Sequence, residues 1–233
     1  MNQETAFWES PFNVAPYDAH MRIIAQIAPY SRVLDIGCNT GQFGEQLISR
    51  LGCEVVGVEI SPEAANVAAQ RLHRVICSSI ENLPKVLSSD TEHFDYIVAA
   101  DVLEHTTWPP DTIRVLTAYL SPSSTMIISV PNVANYGIRL ALLSGRFDYG
   151  SNSVLAGGHY HFFTLRTATA LLVNAGLSIE KIDVSPGLFL SPIYHRSIER
   201  VLGRFLWYRR FEYRLSCQFK NLFAFQFIVT GVA

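Results

Sequence analysis

Excess basic charge, paired cysteines, uninterrupted apolar runs and low-complexity segments are all missing from this 233-residue sequence. Lys plus Arg is 18 and Asp plus Glu is 20, a net charge of −2. No global basic field can therefore hold nucleic acid by counterion release, and no nucleic-acid partner is expected. The four cysteines (Cys38, Cys53, Cys77 and Cys217) form no C-x-x-C pair, which argues against a zinc site or a disulfide framework and for a reducing cytoplasm. The N-terminal MNQETAFWES has neither a basic n-region nor an apolar h-region, so no secretory leader is expected. The longest charge-free window, Val115 to Ile138, runs 24 residues, more than the ~20 needed to cross a bilayer. Ser121, Pro122, Ser123, Ser124, Pro131, Asn132 and Asn135 break it into a helix end, a turn and a strand. With 49% hydrophobic and 16% charged residues, disorder is excluded, and a chain of this size buries a sufficient core without staples.

What the sequence does contain is an alternation of short apolar runs and amphipathic segments. Helices are expected over Tyr17–Ile27, Gln42–Leu51, Glu63–Leu72 after Pro62, from Pro109, over Tyr136–Leu143 and over Leu165–Ala175, the last closed by Gly176. Strands are expected over Ser31–Ile36, Cys53–Ile60, Arg74–Cys77, Phe94–Ala100, Ser124–Val130, Leu177–Val184 and Leu222–Val232. Near-continuous apolar strands alternating with helices predict an α/β fold, a mostly parallel sheet covered on both faces. The last strand has no regular crossover before it, so it is expected to run antiparallel.

The segment Val33-Leu34-Asp35-Ile36-Gly37-Cys38-Asn39-Thr40-Gly41-Gln42-Phe43-Gly44 feeds a strand into a glycine turn and then a helix. Such a turn lets a ligand approach the backbone at the switch point of a parallel sheet. Glu59, 18 residues past Gly41, ends the second strand, where a carboxylate can accept both hydroxyls of a ribose. A dinucleotide fingerprint needs glycine at 39, 41 and 44, and Asn39 breaks it. Asparagine tolerates the left-handed conformation, yet its side chain would crowd a pyrophosphate. Asp35 can accept a ligand's amino group.

On these residues, on Val56-Gly57-Val58-Glu59-Ile60-Ser61 and on Phe94-Asp95-Tyr96-Ile97-Val98-Ala99-Ala100-Asp101-Val102-Leu103-Glu104-His105, the sequence resembles the class I S-adenosylmethionine-dependent methyltransferases across most of residues 20 to 185. The resemblance implies a Rossmann-like, seven-stranded sheet with an antiparallel last strand. It implies S-adenosylmethionine as cofactor, held by Asp35, Gly37, Cys38, Asn39, Gly41, Glu59, Ile60, Ser79, Ile80, Ala100 and Asp101. Two departures stand out. Asn39 replaces the usual middle glycine, and Ser79 stands where many members have an Asp receiving the adenine amino group. A neutral hydroxyl is roughly half as strong an acceptor, so adenine is expected to lean on Ile80.

Asp101 and Glu104 also have capping-box spacing. His159 is the expected catalytic residue. Gly158-His159-Tyr160-His161-Phe162-Phe163-Thr164 resembles, at its histidine, the Gly-Thr-His-Asp-Trp segment of ubiquinone-biosynthesis O-methyltransferases. It is also similar to the His-x-Arg-Phe-Phe-Thr element of methyltransferases of polysaccharide and glycolipid pathways, with His161 at the Arg position. A histidine near pKa 6.5 can take the proton of a hydroxyl acceptor; the competing reading is a histidine that fastens the loop to the core. His159 and His161 share a strand face, but no third ligand stands near them in sequence, so no metal is expected. Residues 195 to 214 interleave His195, Arg196, Arg200, Arg204, Arg209, Arg210 and Arg214 with Ile198, Val201, Leu202, Phe205 and Leu206. They are expected to form a helix on the sheet, with peripheral contact to anionic lipid as the alternative.

The expected organisation is one methyltransferase domain over 1–233: an N-terminal helix (17–28), a cofactor core (31–131), a substrate cap (132–176), and C-terminal strands with a basic helix (177–233). The expected activity is O-methylation of a small-molecule, saccharide or lipid-linked acceptor. The alternatives are a non-catalytic cofactor-binding partner protein and an NAD-dependent oxidoreductase.

Overall fold

The computed structural model describes residues 12, 13, 15–88, 92–150, 154–188, 202, 203 and 205–233. The chain begins with α1 (Ala19–Ile24), which feeds β1 (Arg32–Ile36). Then come α2 (Gln42–Leu51), β2 (Glu54–Glu59), α3 (Pro62–Ala68), β3 (Arg74–Cys77), α4 (Leu83–Val86) and β4 (Phe94–Ala100). The second half runs through α5 (Pro109–Thr117), β5 (Leu120–Pro131), α6 (Tyr136–Leu143), α7 (Leu165–Asn174) and β6 (Ser178–Pro186). It closes with α8 (Leu206–Gln218), α9 (Lys220–Phe223) and β7 (Ala224–Val232).

The seven strands form one sheet in the order β3-β2-β1-β4-β5-β7-β6. β1 to β5 pair in parallel, and β7 is antiparallel to both of its neighbours. The strand order reverses between β1 and β4, and the carboxyl ends of those two strands flank the crevice where an open α/β sheet accepts ligands. Alternate side chains divide the core between the two faces. Leu34, Val56, Ile97 and Ile128 pack in a layer with Leu116 of α5 and Leu172 of α7. Val33, Val55, Val98 and Ile127 pack with Ile23 of α1 and Leu47 of α2.

The elements lie where the periodicity puts them, with differences of local cause. α1 starts later than expected because Asp18 caps it, accepting from the His20 N–H at 3.1 Å, and ends earlier because the Gln26 and Ile27 N–H groups turn to the carbonyls three residues back. β5 starts at Leu120 rather than Ser124: the predicted turn is a bulge, with Ser123 at φ 75° and a register shift opposite Phe94/Tyr96. Gly176, at φ 89°, follows α7 as expected. Of the basic C-terminal region, Leu206–Ser216 falls within α8, which packs on β6; residues 189–201 and 204, including His195, Arg196, Arg200 and Arg204, lie outside the described residues. Among the described residues no helix is long and apolar enough to cross a membrane.

Two buried asparagines fix the exit from β5. Asn132 donates to the carbonyls of Asn221 (3.1 Å) and Ala224 (2.9 Å), and Asn135 donates to those of Gly187 (3.2 Å) and Ala224 (2.8 Å). Each side-chain oxygen also accepts a backbone N–H two residues on.

Candidate active site

The turn after β1 is built from left-handed residues: Gly37 at φ 67°, Asn39 at φ 50° and Gly41 at φ 79°. A Cβ on Gly37 would stand 2.7 Å from Val102 Cγ2, and one on Gly41 would stand 3.1 Å from the Ala68 backbone. Asn39 takes the left-handed conformation the turn demands and donates its N–H to Glu59 Oε2 at 2.9 Å. Ser61 N–H donates to Glu59 Oε1 at 2.8 Å. Two backbone amides thus lock the Glu59 carboxylate, and each oxygen keeps acceptor capacity for one more donor.

Two adjoining cavities lie over this turn, both bordered by Gly37, Asn39 and Asp101. The larger, about 620 Å³, is lined by Glu59, Ile60, Ser79, Ile80, Val102 and His105. Ile60 is 70% exposed beside it, an apolar ledge at its edge. The smaller, about 260 Å³, is lined by Phe12, His20, Asp35, Cys38, Phe43 and Ala100. Ten of the eleven residues expected to hold the cofactor therefore border one trough. Gly41 does not: it faces Ala68 from behind the turn and shapes the site without lining it.

The smaller cavity has a charge pattern of its own. Asp35 is buried and its Oδ2 has no hydrogen-bond partner among the described residues. Burial pushes its carboxyl up to about 7; His20 opposes that shift and Glu59 adds to it. His20 is itself pulled down by burial, but Asp18, Asp101 and Asp35 outweigh that, and its pKa is raised. Asp101, in the left-handed region at φ 56°, accepts from Gln226 Nε2 at 2.5 Å and Ser129 Oγ at 3.3 Å. Burial raises its pKa as well. His20, Phe12 and Gln226 carried no sequence signal, because they reach the site from other segments of the chain.

The capping box expected of Asp101 and Glu104 does not form. Glu104 sits in a 3₁₀ turn, Leu103–His105, whose cap residue is Val102. Glu104 is 1% exposed, and among the described residues neither of its carboxyl oxygens has a hydrogen-bond partner. Burial, with the charge of Asp101, pushes its pKa up to about 9.

His159 lines neither cavity; its ring meets that of His105 edge-on at 4.8 Å. It donates from Nδ1 to the Val154 carbonyl at 2.9 Å, and burial lowers its pKa. His161 has partners of its own: its Nε2 donates to the Thr107 carbonyl at 3.1 Å, beside Trp108.

Residues 12–182 match the family model described as a methyltransferase domain. The sequence is 29% identical over 174 residues to a ubiquinone biosynthesis O-methyltransferase of Xanthomonas axonopodis pv. citri, covering 72% of this chain and 70% of that one. Among solved structures, the chain is similar to a SAM-dependent methyltransferase from Archaeoglobus fulgidus, with TM-score 0.63 and 17% identity over the full length of both chains. It is also similar to the plantazolicin methyltransferase BpumL in complex with SAH, with TM-score 0.56 and 20% identity over 91% of this chain and 78% of that one.

Proposed function

The chain belongs to the methyltransferase domain family, whose methyl donor is S-adenosylmethionine, and we propose that it methylates a hydroxyl oxygen of a small-molecule, saccharide or lipid-linked acceptor. The observation that carries the cofactor half is the Glu59 carboxylate, held by two backbone amides with acceptor capacity left for a vicinal diol. In this reading Asp35 Oδ2, buried without a donor, accepts from the cofactor's ammonium group in the smaller cavity. Ile60 and Ile80 flank the adenine, and Ser79 offers it a hydroxyl. Gly37, Cys38, Asn39, Ala100 and Asp101 line the path between the two ends. Dinucleotide binding is disfavoured by Asn39, which occupies the position where a pyrophosphate needs a glycine.

S-adenosylmethionine supplies a methyl group on a positively charged sulfur, an electrophile that needs only an aligned lone pair. The chain's task is thus chiefly positional, and alignment alone can supply ~7–11 kcal/mol. The acceptor half is supported by the O-methyltransferase relative and by the Glu104–His105–His159 cluster beside the larger cavity. There the hydroxyl loses its proton, and His159 serves that loss.

Calorimetry and a turnover assay test the two halves separately. Glu59→Ala is expected to weaken S-adenosylmethionine binding by roughly tenfold or more, the worth of one charge-assisted hydrogen bond or better. His159→Ala is expected to keep cofactor affinity and lose about 10²–10⁴-fold in turnover. Unchanged affinity in the Glu59 variant would remove the cofactor assignment.

A further inference from the structure

A third cavity, of about 460 Å³, lies between α6, the start of α7 and the junction of α8 with α9. Arg139, Gln218, Lys220 and Asn221 line it together with Leu165 and Leu222, and no Asp or Glu does. We propose that this cavity is a phosphate subsite, and that the methyl acceptor carries a phosphate ester which seats there while its hydroxyl reaches the trough.

The charge of the cavity is uncompensated. Arg22, Arg32, Arg71, Arg74 and Arg114 each face a carboxylate. Among the described residues Arg139 and Lys220 face none. Their partners are carbonyls, Arg139 Nε donating to Ala134 at 2.6 Å and Lys220 Nζ to Cys217 at 2.9 Å. A guanidinium has five donors and an ammonium three, so both cations keep donors for a ligand, and the carbonyls anchor their charged heads. Two amides extend the set. Asn221 Oδ1 accepts the Leu165 N–H at 3.2 Å, which turns its oxygen toward α7 and leaves its Nδ2 group to donate. Gln218 supplies the second amide.

These donors select the class of ligand. The planar fork of an arginine engages two oxygens of a phosphate, and a lysine meets the same group as a point charge. A tetrahedral dianion has oxygens for both cations at once and balances both charges. A carboxylate, with two coplanar oxygens and one charge, balances only one.

The walls are held without a ligand. Asn132, at the exit of β5, donates from Nδ2 to the Lys220 and Asn221 carbonyls at 3.4 and 3.1 Å. The Val133 N–H donates to the Phe163 carbonyl at 3.0 Å, just before α7. The segments bearing Arg139, Leu165 and Lys220 are thus tied to one strand end. That strand end also relates the cavity to the trough. β5 runs parallel to β4, with Ser129 opposite Ala100, so its exit lies on the same edge of the sheet as the trough. From Gly158, whose carbonyl accepts from His105 at the trough, to Leu165 in this cavity is seven residues, at most ~25 Å of extended backbone. An elongated phosphorylated acceptor runs along this edge.

The acceptor's role rests on the methyltransferase reading above; phosphate binding by the cavity does not. The full chain is titrated with glycerol 3-phosphate by phosphorus-31 nuclear magnetic resonance, with binding of glycerol measured calorimetrically as the control. One ester per chain is expected, and no glycerol. Arg139→Gln and Lys220→Gln should each weaken binding by roughly tenfold or more. Arg139 is exposed and Lys220 half-buried, so the thermal unfolding of both variants without ligand should match the parent's. Vesicles containing phosphatidic acid distinguish the sources. Binding that both variants lose and glycerol 3-phosphate displaces assigns the phosphate to a lipid headgroup; binding of the soluble ester alone assigns it to a soluble acceptor. If the parent binds neither, or binds no more tightly than both variants, the subsite is disproved. Hydroxyl-bearing phosphate esters and their dephosphorylated forms test the acceptor's role: kcat/KM should favour the esters at least tenfold, and a panel in which no ester is favoured overturns that role. S-adenosylmethionine titrations in parallel separate the claims. Cofactor binding without phosphate binding overturns the subsite alone, and the reverse overturns the methyltransferase reading alone.

Discussion

Asp35 combines a buried carboxyl, an oxygen with no donor among the described residues and a neighbouring second acid, Glu59. Burial holds its pKa at about 7, so the carboxyl by itself is only half ionised near neutrality. A cation in the small cavity favours the ionised form, and its binding releases a proton. S-adenosylmethionine affinity should therefore fall as pH drops below about 7 and level off above it, the slope approaching one proton per ligand. Calorimetry from pH 5.5 to 8.5 checks this, and Asp35→Asn should flatten the profile; a flat parent profile would remove Asp35 from ammonium recognition. The same shift acts on stability with a definite sign. The folded pKa lies above the ordinary 3.8, so folding favours the protonated form and Asp35's contribution declines as pH rises from about 4 to 7. Neither effect was legible in Val33-Leu34-Asp35-Ile36-Gly37. That string placed an acid at a strand end, but only the packing around it removed its water.

Between elements, the most consequential polar junction joins α1, β6 and α8. Arg22 donates from Nε (2.9 Å) and Nη2 (2.5 Å) to Asp183 Oδ2, and Tyr213 donates to Asp183 Oδ1 at 2.7 Å. The Arg22 guanidinium lies 4.7 Å over the Tyr213 ring, against which Tyr17 stacks at 4.6 Å. Asp183 is 3% exposed. Arg22→Met should cost about 1.5–3 kcal/mol, the worth of hydrogen bonds to a charged group, because it leaves Asp183 with only the neutral donors Tyr213 and the Val184 N–H. Adding Asp183→Asn should recover part of the loss. Urea unfolding of the single and double variants measures both; an Arg22 variant within 1 kcal/mol of the parent would show the junction to be slack. Periodicity predicted all three elements, since each has an apolar stripe of its own period. It could not pair Arg22 with Asp183, 161 positions away, because nothing local depends on the pairing. The failed capping box has the same origin. Asp-x-x-Glu has the right spacing for a helix start, but Asp101 spends its carboxylate on β5 and β7 through Ser129 and Gln226.

For the whole molecule, the open question is what its outer surface meets. α8 buries Tyr208, Glu212 and Ser216 and turns Trp207, Arg210, Phe211 and Arg214 outward on one face. Trp207 is 62% exposed and Phe211 54%, with Phe205 at 50% and Leu206 at 64% alongside. Aromatic and basic side chains on one helix face suit an anionic bilayer surface, where each arginine contributes about 1 kcal/mol. We propose that this face meets such a membrane. The chain should then co-sediment with phosphatidylglycerol-containing vesicles and be released by Trp207→Ser with Phe211→Ser, while vesicles of neutral lipid leave it in solution. Failure to bind anionic vesicles removes the idea and with it the case for a lipid-linked acceptor. The sequence by itself determined the strand-helix alternation, the glycine turn and the acid at the end of β2, because backbone sterics and hydrophobic period act over a few residues. Only the tertiary structure decided that His20 would line the same trough, that Gln226 would hold Asp101 at its edge, that Glu104 would be buried with no partner among the described residues, and that the His159 ring would meet that of His105. Those groups approach through packing between distant segments, and the free energy of that packing belongs to no short stretch of chain.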